Sequence, residues 1–131
     1  MQTGLLDTSV WIALEAGRSL ALDLLPDEVF VSVVTLAELQ AGVLGAADVA
    51  TRSERMATVN SLASVEALPI DTAVAAQWAA LRVRAHEAGR RVNVNDLWIA
   101  ATAVVHRIPV VTQDADFGVL SDIGALEVIR V

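Results

Sequence analysis

The chain contains no cysteine and no lysine. Without cysteine there are no disulfides and no thiolate metal sites, so zinc sites of the finger type are excluded and a reducing, cytoplasmic setting is expected. Without lysine, every carboxylate that needs a cation of its own chain must share nine arginines. Apolar residues reach 55%, but no uninterrupted run approaches the ~20 residues that a membrane-spanning helix requires, so no membrane association is expected. The opening MQTGLLDTS lacks a basic stretch and meets an acid at position 7, which reads as a first strand and not as a signal peptide. At 131 residues, positions 1–131 are expected to form a single domain with a proper core. The formal charge of −7 argues against broad electrostatic attachment to nucleic acid, so any such contact must be local.

Acids are present where they are least expected. Asp7 in GLLDTSV, Glu38 in VTLAELQ, Asp96 in NVNDLWIAA, and Asp114 with Asp116 in VVTQDADF all lie in or beside apolar runs. An unpaired buried carboxylate costs several kcal/mol or changes its protonation state. A divalent cation removes that cost, and no ammonium group is on hand to do so instead.

Hydrophobic periodicity predicts strands alternating with helices. Residues 4–7 read as a buried strand and Ser9 to Glu15 as a helix; Val29 to Val33 is a second strand, followed by a helix from Thr35 to Leu44 that stops at Gly45. A polar amphipathic helix is expected over Asp48 to Ser64 and a third strand over Val65 to Ile70. A helix from Thr72 to Ala88 then carries Val74, Trp78, Leu81 and Ala85 in register and ends at Gly89. Asn93 to His106 is helical; Val110 to Thr112 and Leu126 to Val131 are the last strands. This alternation predicts an α/β fold, a three-layer α/β/α sandwich around a parallel sheet of about five strands. Ligands of such sheets bind beyond the carboxyl ends of the strands, where Asp7, Asp114 and Glu38 fall; the loop before Asp96 leaves its side of the sheet open.

Each acid has a plainer explanation. Asp7 is placed to cap the following helix, although Thr8 and Ser9 are placed to do the same. Thr35-Leu36-Ala37-Glu38 matches a capping box, while Gly42, one turn further on, leaves room beside the Glu38 carboxylate. Asp96 suits a helix N-terminus, worth only ~0.3 to 1 kcal/mol, and Asn93 or Asn95 already offers a cap. Asp114 and Asp116 fit an Asx-turn, and Asp71 reads simply as an N-cap. Taken together the acids are harder to explain, because carboxylates brought within 4 Å repel by ~4 kcal/mol per pair at an effective dielectric of about 20. A fold does not gather them for stability. An all-oxygen donor set selects hard cations, Mg²⁺ or Mn²⁺, whose chemistry beside phosphate oxygens is phosphodiester hydrolysis.

The remaining polar and aromatic features point elsewhere or stay open. His86 and His106 lie near helix C-termini, a favourable place for an imidazole, and are read as solvated. Trp11, Trp78 and Trp98 occupy apolar helix positions and are read as core or interface anchors. Arg82, Arg84, Arg90 and Arg91 form the densest positive stretch; Arg90 and Arg91 either grip phosphates at the rim of the acid cleft or solvate a helix end.

LLDTSVW, the TLAEL helix, the NDLWIAATA helix and VVTQDADF, in this order and at these separations, resemble the PIN-domain ribonucleases, in particular the VapC-type toxins of toxin-antitoxin systems. The resemblance spans essentially the whole chain. It implies Mg²⁺- or Mn²⁺-dependent endoribonuclease activity by in-line attack of a metal-activated water, leaving a 3′-hydroxyl and a 5′-phosphate. Asp7, Glu38, Asp96 and Asp114 match the family's acidic quartet. Asp7, Asp96 and Asp114 would hold metal, Asp116 matches a variably used additional acid, and Thr112 matches a hydroxyl position near the site. Thr8 or Ser9 would hold a carboxylate or water from behind. An RNA substrate, a cognate antitoxin and a homodimer are also implied, with the helix faces bearing Trp11 and Trp98 as docking surfaces. Of the competing classes, a receiver-like phosphoacceptor needs a lysine, and a haloacid-dehalogenase-like phosphatase needs an Asp at position 9, which is serine. A metal-binding module that holds RNA or antitoxin without cleaving is the remaining alternative.

Overall fold

In the computed structural model, which describes residues 2–131, five strands form one parallel sheet in the order β3-β2-β1-β4-β5. The strands are β1 (Thr3–Leu6), β2 (Glu28–Ser32), β3 (Glu66–Leu68), β4 (Val110–Thr112) and β5 (Val128–Arg130). The helices are α1 (Thr8–Glu15), α2 (Val33–Leu44), α3 (Val49–Ser61), α4 (Thr72–Glu87), α5 (Val94–His106) and α6 (Gly118–Asp122).

Strand alternation sorts the core into two layers. Because successive side chains point to opposite faces, Leu5, Val110 and Leu68 join one cluster, with Leu81 of α4, Ile99 of α5 and Leu120 of α6. Their neighbours Leu6, Val111 and Val31 join the other, with Val10 and Trp11 of α1 and Leu39 of α2. This is the α/β/α sandwich. Ala100 and Ala103 are fully buried, and their small side chains let α5 lie close against its neighbours. Gly4 is required by contact: a Cβ there would stand 2.9 Å from both Pro26 Cγ and Val111 Cγ2.

Several boundaries differ from the sequence reading, each for a local reason. The helix expected from Thr35 begins at Val33, because the buried Ser32 caps it, its Oγ accepting from Val34 N at 3.1 Å. Thr35 is therefore inside the first turn and Glu38 is not part of a capping box. The helix expected over Asp48 to Ser64 ends at Ser61 and tightens into a 3-10 turn at Leu62–Ser64. The third and last strands are shorter than expected, and α6 and the 3-10 turn Leu22–Leu24 had no signal in the periodicity. Asp71 caps α4 as expected, accepting from Val74 N at 2.9 Å. Gly89 closes that helix with φ +69°, whereas Gly45 ends α2 with φ −89° and needs no left-handed backbone. No helix among the described residues is long and apolar enough to cross a membrane.

Strand order reverses between β1 and β4. The chain steps from β1 outwards through β2 to β3, then returns to the other side of β1 to lay down β4 and β5. The loops leaving β1 and β4 therefore diverge, opening a crevice at their carboxyl ends.

Candidate active site

Asp7 follows β1 directly and lies at the floor of that crevice, 3% exposed. It occupies the N-cap position of α1, yet its side chain caps nothing. One carboxylate oxygen accepts from Ser9 Oγ at 2.6 Å and the other from Thr112 Oγ1 at 3.0 Å. Ser9 Oγ in turn accepts from Gln113 N, and Thr112 Oγ1 from Asp114 N, each at 3.0 Å. Thr112, not an aspartate, thus makes the turn after β4. Among the described residues neither the Asp114 nor the Asp116 carboxylate accepts a hydrogen bond, and both side chains are exposed.

Glu38, five residues into α2, reaches back towards the start of α1, where Thr8 Oγ1 donates to its Oε1 at 2.8 Å. The Thr8 and Thr35 hydroxyls are 3.1 Å apart. Thr8 has a single proton, so the fully buried Thr35 is the donor of that second bond. Asp96 lies in the first turn of α5, where Asn93 Oδ1 already accepts from Asn95 N and Asp96 N. Its carboxylate is released from capping.

The electrostatics show that these acids converge. Burial raises the Asp7 carboxyl from 3.8 to about 6; the Ser9 and Thr112 hydroxyls hold it down and Asp114 adds to the rise. Asp96 is pushed to about 7, first by burial and then by repulsion from Asp116, Asp7, Glu38 and Asp114 in that order. Four acids thus act on Asp96, although the five arrive from four separate stretches of chain. Among the described residues, no three acidic or imidazole groups already surround one point at ligand distance, so the carboxylates share a field without a closed coordination shell. Among the described residues the sole ion pair is Arg90 with Asp122, so no arginine there is paired with the cluster.

The donor set fits a hard divalent cation: five carboxylates and three hydroxyls, no soft ligand, two acids raised by burial and by neighbouring acids, and, among the described residues, no arginine paired with them. Thr35 and Gln113, which back up Thr8 and Ser9, had no sequence signal. Arg55 of α3 was missed as well. Its Nη1 donates to Gly42 O at 2.7 Å, and the space beside Gly42 is lined by both Arg55 and Glu38. Arg90 and Arg91 line a depression with Asn93 and Asp116. Trp11 is 8% exposed and belongs to the core, so the apolar side chains α1 leaves outside are Ile12 and Leu14. Trp98 stacks on Trp78 with centroids 4.9 Å apart.

The family model described as PIN domain matches residues 4–123. The chain is a PIN-domain protein. Among its relatives, it is 53% identical to Ribonuclease VapC5 of Mycobacterium tuberculosis over 128 residues, 98% of this chain and 95% of that protein. Ribonuclease VapC4 of the same organism is 41% identical, covering 98% of both chains. A chain in the crystal structure of VapBC-5, a member of the VapBC family of toxin-antitoxin systems from Mycobacterium tuberculosis, superposes with a TM-score of 0.92 at 49% identity, covering 100% of both chains. This PIN domain therefore belongs with the VapC group.

Proposed function

We propose that this PIN domain is the toxin of a toxin-antitoxin pair, a metal-dependent endoribonuclease in which residues 1–131 act as one catalytic unit. The observation that carries the reading is the gathering of Asp7, Glu38, Asp114 and Asp116 near enough to Asp96 to repel its charge, at a partly buried sheet edge where, among the described residues, no arginine pairs with them. The names of its relatives, ribonucleases of the VapC group, supply the reaction and the RNA substrate. Asp7, Glu38, Asp96 and Asp114 form the catalytic quartet; Asp7, Asp96, Asp114 and Asp116 hold Mg²⁺ or Mn²⁺. When bound, the cation neutralises the cluster, draws charge from phosphate oxygens and lowers the pKa of water.

The protein's own groups do the positioning. Ser9 and Thr112 fix both oxygens of Asp7, and Thr8 fixes one oxygen of Glu38, leaving Oε2 to orient a water for in-line attack. In the metal-free protein Asp96 is pushed up to about 7 by burial and by the surrounding acids, a cost that a bound cation would relieve. Arg90 and Arg91 stand on the rim, beside Asp116, where phosphates arrive. The protein partner is a cognate antitoxin, as in the VapBC-5 assembly. Exposed Ile12, Leu14, Leu44 and Met56 give α1, α2 and α3 apolar surface for it and for a second copy of the chain in a homodimer. The absence of cysteine supports a cytoplasmic setting.

Cleavage of RNA by the purified protein with Mg²⁺ or Mn²⁺, against an EDTA control, tests this directly. Asp7→Asn is expected to lower the rate at least about a hundredfold, a loss of about 3 kcal/mol of transition-state stabilisation, while keeping the native circular-dichroism spectrum. Unchanged cleavage by that variant refutes the assignment. Cation binding without any cleavage favours the non-cleaving module instead.

A further inference from the structure

A second concentration of donors lies outside the acid cluster. In a chain of net charge −7 with nine arginines, Arg82, His86, Arg90 and Arg91 line one cavity of about 590 Å³, with Val92 and the buried Leu97 among its apolar walls. That volume is within the ~300–1,000 Å³ usual for small-molecule sites. Arg90 and Arg91 also form the wall of the neighbouring depression, about 600 Å³, which includes Asn93 and reaches Asp116. Arg90 and Arg91 therefore line both spaces, the second of which reaches one acid of the cluster, Asp116.

These donors are largely unused by the fold. Among the described residues, only Arg90 of the four meets an acid, at 3.4 Å from Asp122, with side chains 45% and 64% exposed. Such an exposed pair is weak and readily exchanged for a phosphate. Arg82 lies over the Trp78 ring, 5.5 Å from its centroid. An acidic peptide would need only the cations. The combination of guanidinium planes, an imidazole and an apolar wall, next to a depression that reaches Asp116, suits a nucleotide, whose phosphate is anionic and whose base has an apolar face.

We propose that this cavity is a nucleotide subsite for single-stranded RNA, holding a nucleotide that flanks the cleaved bond, its phosphate on Arg90 and Arg91 and its base against Val92 beside His86. The assignment rests on reading the acids as an RNA-cleaving centre.

The test uses Arg91→Glu and His86→Ala, with Arg52→Glu, an exposed charge on α3 distant in sequence from the cavity, as control. Steady-state cleavage of a fluorescent single-stranded RNA is followed at several salt concentrations. Arg91→Glu is expected to raise KM about tenfold while changing kcat less than about twofold, and to reduce the slope of log kcat/KM against log salt by about 0.7, the share of one phosphate on a single strand. His86→Ala raises KM without altering that slope, and Arg52→Glu changes neither. Equal KM and equal salt slopes for Arg91→Glu and the wild type overturn the subsite. So does an Arg91→Glu protein that loses affinity for an acidic peptide but not for RNA, which would assign the cavity to a protein partner. Fluorescence anisotropy of the same RNA on Asp7→Asn separates the two readings. Cleavage that Arg91→Glu leaves untouched overturns the subsite alone. RNA binding that Arg91→Glu weakens, in a protein that never cleaves, overturns the nuclease reading alone and upholds the subsite.

Discussion

At the scale of single residues, the acid cleft is organised by hydroxyls. Thr112 is fully buried and does two things with one oxygen: it donates to Asp7 and accepts from Asp114 N. Thr112→Val keeps the shape and removes both bonds, leaving a buried carboxylate oxygen and the Asp114 N–H to find other partners. The expected cost is about 1–3 kcal/mol in urea unfolding, and a fall of about 10- to 100-fold in divalent-cation affinity, read by calorimetric titration. An unchanged cation affinity would show that Asp7 needs no help from Thr112. The five acids stand out in the sequence because each lies in or beside an apolar run, whereas roles for Thr8, Ser9 and Thr112 come only with the resemblance to the PIN-domain ribonucleases. Thr35 and Gln113 were not legible. They act across 27 and 104 positions, on Thr8 and Ser9, and no local pattern announces a contact of that range.

At the scale of elements, the junction of β2 and α2 shows where local preference misleads. Val33 is β-branched and reads as the end of the strand, with the helix expected only from Thr35, but Ser32 sits at the last strand position with an oxygen free to take the Val34 N–H, and that cap makes Val33 and Val34 the start of the helix. The shift of two residues moves Glu38 from a capping role to one facing Thr8. Ser32→Ala is expected to destabilise the fold by about 0.5–2 kcal/mol in chemical denaturation. Because Glu38 is carried by this helix, the same variant should also slow RNA cleavage. A stable variant with full activity would mean that the start of α2 is set by packing alone. Helices with a long apolar period, such as α4 and α5, were read nearly to the residue, whereas the five residues of α6 are too few to display a period.

At the scale of the whole molecule, gathering acids at one edge of the sheet has a thermodynamic signature. An acid whose folded value lies above its ordinary 3.8 opposes folding once it ionises, so its contribution is harmless at low pH and turns unfavourable as pH rises through 6 for Asp7 and 7 for Asp96. In EDTA the melting temperature is therefore expected to fall between pH 5 and 8, by an amount corresponding to about a few kcal/mol at most. Added Mg²⁺ should restore more stability at pH 8 than at pH 5. A Mg²⁺ increment that is the same at both values would separate the raised carboxyls from cation binding. Parallel-sheet architecture was legible from alternating strands and helices, but the strand order was not. Hydrophobic period says which segments are strands and is silent on which lie side by side.

That order governs when the cleft comes into being. The strand that completes it, β4, is laid against β1 only after the chain has reached Val110, and the hydroxyl that grips Asp7 arrives from 105 positions downstream. A half-synthesised polypeptide still on its ribosome holds Asp7 and Glu38 but has neither Thr112 nor Asp114 to set beside them. During translation the molecule is thus without its assembled cleft until almost all of it has been made.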